Sequence, residues 1–194
     1  MNAFLTMSAL TITLFALSTA PVSIPVKPAA STVTWTGYKV TGQHTGTVPV
    51  RRGDLVYEDN RLTGGTVEID LAALRVTDLS GDARTKLEGH LKSDDFFGVQ
   101  QYPTATLVID RVHSRGKPGA YRVDATLTIK GVSKEVRFDA DVKDERDHLV
   151  AVAQLTIDRT AFGVRYGSGS FFDNLGDKTI YDEFDLQIEL VAAK

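Results

Sequence analysis

The sequence of 194 residues contains no cysteine, and this absence removes several classes of protein at once. Without cysteine there is no disulfide, no thiolate zinc or iron–sulfur site, no c-type haem attachment, no cysteine nucleophile and no lipidated-cysteine anchor. The absence does not indicate a compartment, because both oxidising and reducing compartments hold cysteine-free proteins. At this length we expect one folded domain.

An excess of positive charge is also lacking, since 22 Lys and Arg residues face 25 Asp and Glu residues and the formal net charge is −3. Nucleic acid is held mainly by clustered Lys and Arg side chains that neutralise phosphates. The balance therefore provides no electrostatic case for a nucleic-acid partner. A hydrophobic fraction of 42% with 16 glycines fits a soluble β-rich or mixed domain.

Charged side chains are missing from residues 1–26, where residues 3–20 are apolar or carry only hydroxyl groups and prolines follow. This pattern is typical of the hydrophobic region of a secretory signal and a flexible joint. We predict that residues 1–30 are a signal peptide or hydrophobic segment with a linker, and that residues 31–194 are the folded domain in the periplasm or outside the cell. The alternatives are an uncleaved anchor at a membrane, since about 18 apolar residues just span a bilayer, and a disordered tail.

Beyond residue 30 the hydrophobic pattern has a period of two, which indicates strands with one buried and one solvated face. The strongest signal is a hairpin between residues 121–129 and 136–142, with its turn over residues 130–133. The runs add up to about eight strands, the number at which a closed antiparallel barrel holds side chains or one slender ligand. A β-sandwich gives the same periodicity, so the pattern alone leaves both architectures open.

One segment between the strands interrupts this period. Ala83, Leu87 and Leu91 stand four residues apart after Ser80, which predicts a short amphipathic helix capped by that serine. A further helical turn is predicted over residues 93–98. A helix in such a long connection commonly closes one end of a barrel.

A set of motifs along residues 31–192 carries a resemblance to a known family. The most specific are the run GHLKSDDFF at residues 89–97, closed by a Tyr-Pro pair at residues 102–103, and the LTIKG turn at residues 127–131. The remaining motifs are WTG at 35–37, GQHTG at 42–46, GGTVEID at 64–70, IDRTAFG at 157–163 and GSFFDNL at 169–175. On these motifs the chain resembles the YceI-like family of lipid- or polyisoprenoid-binding proteins.

The resemblance implies an all-β, lipocalin-like, eight-stranded antiparallel barrel with a short helix between two strands. It also implies an apolar pore for a polyisoprenoid, an isoprenoid quinone or a fatty-acid-like lipid, with no catalysis and no cofactor; a homodimer is left open. Apolar side chains on the inward faces are the expected pore lining, with the loop phenylalanines near its mouth. The predicted ligand-binding residues are Trp35, Phe96, Phe97, Leu107, Ile109, Tyr121, Leu127, Phe138, Phe162, Phe171, Phe172, Phe184 and Leu186.

Two other interpretations of the same residues stand beside this one. His44 and His90, with Asp94 and Asp95, could bind zinc or transfer protons in an enzyme that acts on a lipid head group. Alternatively, the barrel could be fully packed and serve adhesion or stress protection, because eight strands can fill their interior with side chains. In the binding interpretation, Arg159 or Arg165 at the pore mouth could meet a quinone or phosphate head group. A surface ion pair is the alternative for these arginines.

Overall fold

A computed structural model of the chain describes residues 20–194. Apart from its last residue, the apolar run predicted as a signal or anchor lies outside these described residues. No helix within residues 20–194 is long and apolar enough to cross a membrane. Export, cleavage and anchoring therefore stay predictions.

Strands dominate the described part of the chain, and a single α-helix lies between two of them. The helix is α1 (Gly81–Lys92), and short 3₁₀ turns occupy Pro28–Ala30, Leu71–Ala73, Arg159–Phe162 and Gly176–Lys178. The strands are β1 (Val22–Pro25), β2 (Thr32–Lys39), β3 (Gly42–Val48), β4 (Val50–Glu58), β5 (Arg61–Asp70), β6 (Arg75–Val76), β7 (Thr104–Ser114), β8 (Ala120–Ile129), β9 (Val132–Asp144), β10 (His148–Asp158) and β11 (Ile180–Ala193).

The described strands form one antiparallel sheet in the order β1-β4-β5-β7-β8-β9-β10-β11-β2-β3-β6. Its curvature is visible at the segment after β1. Val26 N donates a hydrogen bond to Gly53 O of β4 at 2.9 Å, and Lys27 N donates one to Val191 O of β11 at 2.7 Å. Because β4 and β11 are far apart in the strand order, two adjacent residues reach both only if the sheet curls. The sheet is therefore a half-barrel, and the predicted all-β antiparallel class is confirmed.

The predicted number of eight strands is not confirmed, because the described residues form an 11-stranded sheet. β6 has two residues and is too short to show a period, and β3 has glycine at the inward position of Gly46 instead of an apolar side chain. β1 lies in the segment that we predicted as linker, yet it pairs with β4 from Val22↔Tyr57 to Pro25↔Asp54. The folded part of the chain therefore begins before residue 31.

The predicted hairpin is confirmed as β8 and β9, which pair from Ala120↔Asp141 to Ile129↔Val132. Lys130 and Gly131 have φ values of 51° and 74°, as the two central residues of a type I′ turn require. This turn twists in the same sense as the strands, which explains why two residues suffice to reverse the chain.

The predicted helix is confirmed as α1, and Ser80 occupies the N-cap position. The Ser80 side chain makes no capping hydrogen bond, so the predicted cap is correct in position but not in contact. At the other end, Ser93 Oγ donates a hydrogen bond to His90 O at 2.7 Å, and the chain turns again until Gly98, whose φ is 56°. Helix α1 and this turn lie over one end of the half-barrel.

Candidate functional site: an apolar cavity beneath helix α1

A cavity of about 280 Å³ lies between α1 and the concave face of the sheet. Its wall is formed by β2, β3, β5, β7, β8, β11, α1 and the turns that follow β5, α1 and β10. In addition to residues predicted from the sequence, its apolar wall contains Val33, Val48, Ile69, Leu71, Leu74, Leu87, Leu91, Ala105, Ile129 and Ile180. The cavity can therefore enclose a hydrocarbon group.

The structure brings only some of the predicted ligand-binding residues together at this cavity. Those in its wall are Trp35, Phe96, Phe97, Leu127, Phe184 and Leu186. Those outside its wall are Leu107, Ile109, Tyr121, Phe138, Phe162, Phe171 and Phe172. Ligand contact by any of these residues stays a prediction.

The position of each residue along its strand explains this division. On β7 the cavity is lined by Ala105 near the start of the strand, and on β8 by Leu127 and Ile129 near its end. Residues further from α1 on the same inward faces, such as Tyr121, are buried in the core. The cavity thus occupies the α1 end of the half-barrel, while side chains fill the interior further along β7 and β8.

The remaining predicted residues have different surroundings. Leu107, Ile109 and Phe138 are half-buried against the core cluster. Phe162 is buried in the core at 2% exposure. Phe171 and Phe172 belong to the loop before β11, are 46% and 51% exposed, and do not line the cavity.

Helix α1 is held over the cavity by the buried carboxylate of Glu88. Glu88 Oε1 accepts a hydrogen bond from Val76 N of β6 at 2.9 Å, and Arg75 Nη1 lies 3.6 Å from Glu88 Oε2. A buried carboxylate is costly unless it is hydrogen-bonded. This contact therefore places Leu87 and Leu91, the apolar face that the helical pattern predicted, in the cavity wall.

The turn after α1 is held by Lys130 from the hairpin between β8 and β9. Lys130 Nζ donates hydrogen bonds to Asp94 O at 2.6 Å and to Phe96 O at 2.8 Å. These contacts fix Phe96 and Phe97 in the wall of the cavity. Lys130 of the LTIKG motif therefore joins the β8–β9 hairpin to the turn that follows α1.

Polar side chains also line the cavity, and one of them, His44, is paired with a carboxylate. His44 Nδ1 and Asp78 Oδ2 are 2.8 Å apart, and Asp78 Oδ1 accepts a hydrogen bond from Thr45 N at 3.1 Å. Burial acts to raise the pKa of Asp78, but the hydrogen bonds from His44 and Thr45 outweigh it and hold that pKa below its usual value. The aspartate thus fixes the orientation of the His44 ring.

The histidine–carboxylate set of the enzymatic interpretation is not assembled in the structure. The ring of His90 lies 4.5 Å from the ring of Tyr166 and 5.0 Å from that of Phe96, whereas His44 pairs with Asp78. The side chains at residues 94–95 are exposed and do not line the cavity. Within residues 20–194 no group of three His, Asp or Glu side chains could hold a metal ion.

Arg159 lines the cavity, but its guanidinium is bonded to the chain itself. Nε and Nη2 donate to Tyr181 O and Ile180 O, both at 3.0 Å, and Nη1 donates to Val164 O at 2.8 Å. Desolvation lowers the pKa of this side chain, which is 3% exposed, while Asp182 acts in the opposite direction. Arg159 therefore anchors the loop before β11, and the structure does not favour its predicted contact with a head group.

Trp35 is the predicted residue with the most unusual surroundings. It is 8% exposed, and its indole Nε1 is buried without a hydrogen-bond partner in the described structure. A Cβ atom added at Gly46 would lie 2.4 Å from Trp35 Cζ2 and 2.0 Å from Arg75 O. The absence of a side chain at Gly46 is therefore what allows the indole to lie against β3.

Sequence and fold comparisons agree with the geometry of this half-barrel. The sequence profile of the YceI-like domain matches residues 25–192. The chain belongs to the YceI-like family. The resemblance predicted from the motifs is thereby confirmed, although the match begins earlier than predicted and includes the end of β1. No curated protein matches the sequence of this YceI-like chain.

Solved structures with the same fold include three of bacterial origin. BcnA from Burkholderia cenocepacia has a TM-score of 0.68 at 24% identity, over 87% of this chain and 99% of BcnA. A polyisoprenoid binding domain from Saccharophagus degradans, implicated in plant cell wall breakdown, has a TM-score of 0.64 at 14% identity, over 87% of this chain and 97% of that domain. A YceI protein from Campylobacter jejuni has a TM-score of 0.56 at 17% identity, over 100% of this chain and 93% of that protein. These TM-scores show that the chain shares its fold with these three proteins.

Proposed function

We propose that the chain binds the hydrocarbon tail of a polyisoprenoid or similar long-chain amphiphile in the cavity beneath α1, and carries or sequesters it without catalysis. The observation that carries the proposal is an apolar cavity of about 280 Å³ roofed by the apolar face of a helix. The family and the polyisoprenoid binding domain among the solved structures support this ligand class. The charge-free segment of residues 1–26 supports action in the periplasm or outside the cell.

The cavity volume sets the length of tail that can be enclosed. A dry cavity of about 150 Å³ accepts benzene, so 280 Å³ provides room for about eleven carbon atoms. That is about two isoprene units. The remainder of a longer polyisoprenoid, and its head group, would lie outside the cavity.

The energy of burial is sufficient for binding but not for tight binding by the tail alone. About ten buried carbons contribute about 8 kcal/mol at about 0.8 kcal/mol each, and association costs at least about 4 kcal/mol. The remaining ~4 kcal/mol corresponds to a Kd of about 1 mM. Tighter binding must therefore come from contacts outside the cavity or from a polar contact within it.

We propose binding without catalysis because the histidines of the enzymatic interpretation contact other side chains and its carboxylates lie outside the cavity wall. His44 is paired with Asp78, and His90 lies against aromatic rings. The carboxylates of Asp94 and Asp95, which the enzymatic interpretation requires, lie outside the cavity wall. A packed barrel for adhesion or stress protection is less favoured than ligand binding, because the interior contains the cavity.

Organic extraction of the protein purified from its native host, followed by mass spectrometry, tests the proposal. We expect an isoprenoid or similar long-chain lipid in near-stoichiometric amount. Delipidated protein should also take up a prenylquinone or a fatty amide. An extract without lipid, together with no uptake of either compound, would contradict the proposal.

A further inference from the structure

The exposed Phe and Tyr side chains of residues 20–194 are gathered in one part of the chain. They are Tyr166, Phe171, Phe172 and Tyr181, which are 47%, 46%, 51% and 52% exposed, and we call them the aromatic rim. The other Phe, Tyr and Trp side chains in this range are buried or half-buried. Single exposed apolar side chains are common on proteins, whereas a cluster of them marks an interaction surface.

The aromatic rim lies where the cavity beneath α1 opens to the surface. Tyr181 and Glu183 line the cavity although both are exposed, so the cavity has its mouth at the start of β11. The ring of Tyr166 lies 4.5 Å from the ring of His90, which is another residue of the cavity wall. A ligand that enters the cavity therefore passes exposed aromatic rings.

Backbone hydrogen bonds hold the two phenylalanines of the aromatic rim beside this mouth. Phe171 N and Phe172 N donate hydrogen bonds to Ser168 O, at 3.2 and 3.0 Å. Ser168 is fully buried and pairs with Ile180, which lines the cavity. The guanidinium of Arg165 lies over the ring of Phe171, 4.4 Å from its centroid. The loop thus presents apolar rings together with a basic side chain.

The length of the ligand indicates what covers the aromatic rim. The cavity has room for about two isoprene units. Each further unit of a longer chain would expose its carbons to water, which is unfavourable in proportion to their apolar area. A bilayer in contact with the mouth removes this cost, because the rest of the chain then stays in hydrocarbon. Aromatic side chains are also enriched where proteins meet the interface between membrane and water.

We propose that the aromatic rim docks the mouth of the cavity on the surface of a lipid bilayer, and that the hydrocarbon ligand enters from this bilayer. The inference rests on the proposed function, because it assumes that the cavity holds such a ligand. Residues 163–181 have two basic and two acidic side chains, so the docking depends on insertion of the rings and not on anionic lipid.

Flotation of the delipidated protein with phosphatidylcholine vesicles tests the docking. We expect the wild-type protein to float with these vesicles, and the addition of phosphatidylglycerol should not be needed. Raising the salt concentration should not release the protein, since salt screens attraction between charges but does not weaken the burial of rings.

Two double variants assign the docking to the phenylalanines. Phe171→Ser with Phe172→Ser removes two half-exposed rings, so we expect the affinity for vesicles to fall about 10- to 100-fold. The matched control is Val108→Ser with Val152→Ser, which removes side chains that are 40% and 44% exposed on the outer face of β7 and β10. This control should float like the wild type. If the phenylalanine pair does not fold, Phe172→Ser alone should lose about 3- to 10-fold.

Titration calorimetry with geranylacetone, a ketone that carries two isoprene units, separates docking from ligand binding. Neither double variant changes the cavity wall, so both should bind geranylacetone in solution like the wild type.

A wild-type protein that binds geranylacetone but does not float would overturn the docking and leave the proposed function standing. Flotation that requires phosphatidylglycerol, or that is equal in a folded phenylalanine variant, would also overturn it. A wild-type dimer that the phenylalanine variant loses, without flotation, would assign the aromatic rim to a second copy instead. Failure of the wild type to bind geranylacetone would overturn the proposed function together with this inference.

Discussion

Filling the cavity from its own wall should abolish binding without unfolding the protein. Ala105 lies near the start of β7, is 6% exposed and lines the cavity opposite α1. Ala105→Phe adds one benzene-sized ring, and a ring of that size needs about 150 Å³, roughly half of the 280 Å³ present. The variant should therefore enclose about one isoprene unit instead of two.

The expected loss follows from the carbons that can no longer be buried. About five carbons at about 0.8 kcal/mol each amount to about 4 kcal/mol, which sets an upper limit of about 1,000-fold in Kd. We expect a loss of at least about 100-fold for geranylacetone, measured by titration calorimetry on delipidated protein. Because the new ring fills existing space, the melting temperature should stay the same or rise.

Thr106→Phe is the matched control for this variant, since it adds a phenylalanine to the opposite face of the same strand. Thr106 pairs with Glu68 and Thr128 and does not line the cavity. This control should bind the ligand like the wild type. A folded Ala105→Phe variant with wild-type affinity would refute the assignment of the cavity as the binding site.

Three further predictions follow from the same structure. In a series of prenyl ketones measured by calorimetry, affinity should rise from one to two isoprene units and change little beyond three, because the cavity encloses about eleven carbons. A steady rise in affinity up to eight units would contradict this capacity. Gly46→Ala places a Cβ 2.0 Å from Arg75 O and should lower the unfolding free energy, measured in urea, by about 1–3 kcal/mol. The control Gly89→Ala in α1, where the Cβ meets nothing within 4 Å, should not lower the unfolding free energy. Equal stability of the two variants would refute the Gly46 contact. Asp78 has a lowered pKa in the folded state, so its contribution to stability is complete above its unfolded pKa and is lost as the pH falls below about 4. In Asp78→Asn, the urea concentration at the unfolding midpoint should therefore fall less steeply as the solution is made acidic. An unchanged acid dependence of that midpoint would be inconsistent with the His44 pairing.

The period of two in the sequence was sufficient to predict the antiparallel strands and the β8–β9 hairpin. The four-residue spacing predicted the apolar face of α1, of which Leu87 and Leu91 line the cavity and Ala83 is exposed. The period of two identifies which face of a strand is buried, but it does not show how far along the half-barrel a residue lies. For that reason Leu127 and Tyr121, which share a face of β8, were both predicted to bind ligand although only Leu127 lines the cavity. Depth along the sheet depends on register between strands, which becomes visible only in the fold.

Other features depend on contacts between residues distant in sequence. Nothing in the sequence distinguishes Glu88 from an exposed helix residue, yet it is buried and its carboxylate holds α1 on β6. Arg159 was predicted to meet a head group at the pore mouth, yet its guanidinium donates hydrogen bonds to three backbone carbonyls. The unbonded indole of Trp35 is likewise a property of its neighbours on β3 and β11. No local pattern of residues contains this information.

A crystal structure of the protein with a bromine-labelled ten-carbon prenyl ketone is the most direct measurement of where a ligand binds. We expect an anomalous bromine peak in the cavity beneath α1, between Ala105 and Leu186. A peak confined to the outer surface of the sheet, with the cavity empty of ligand density, would contradict it.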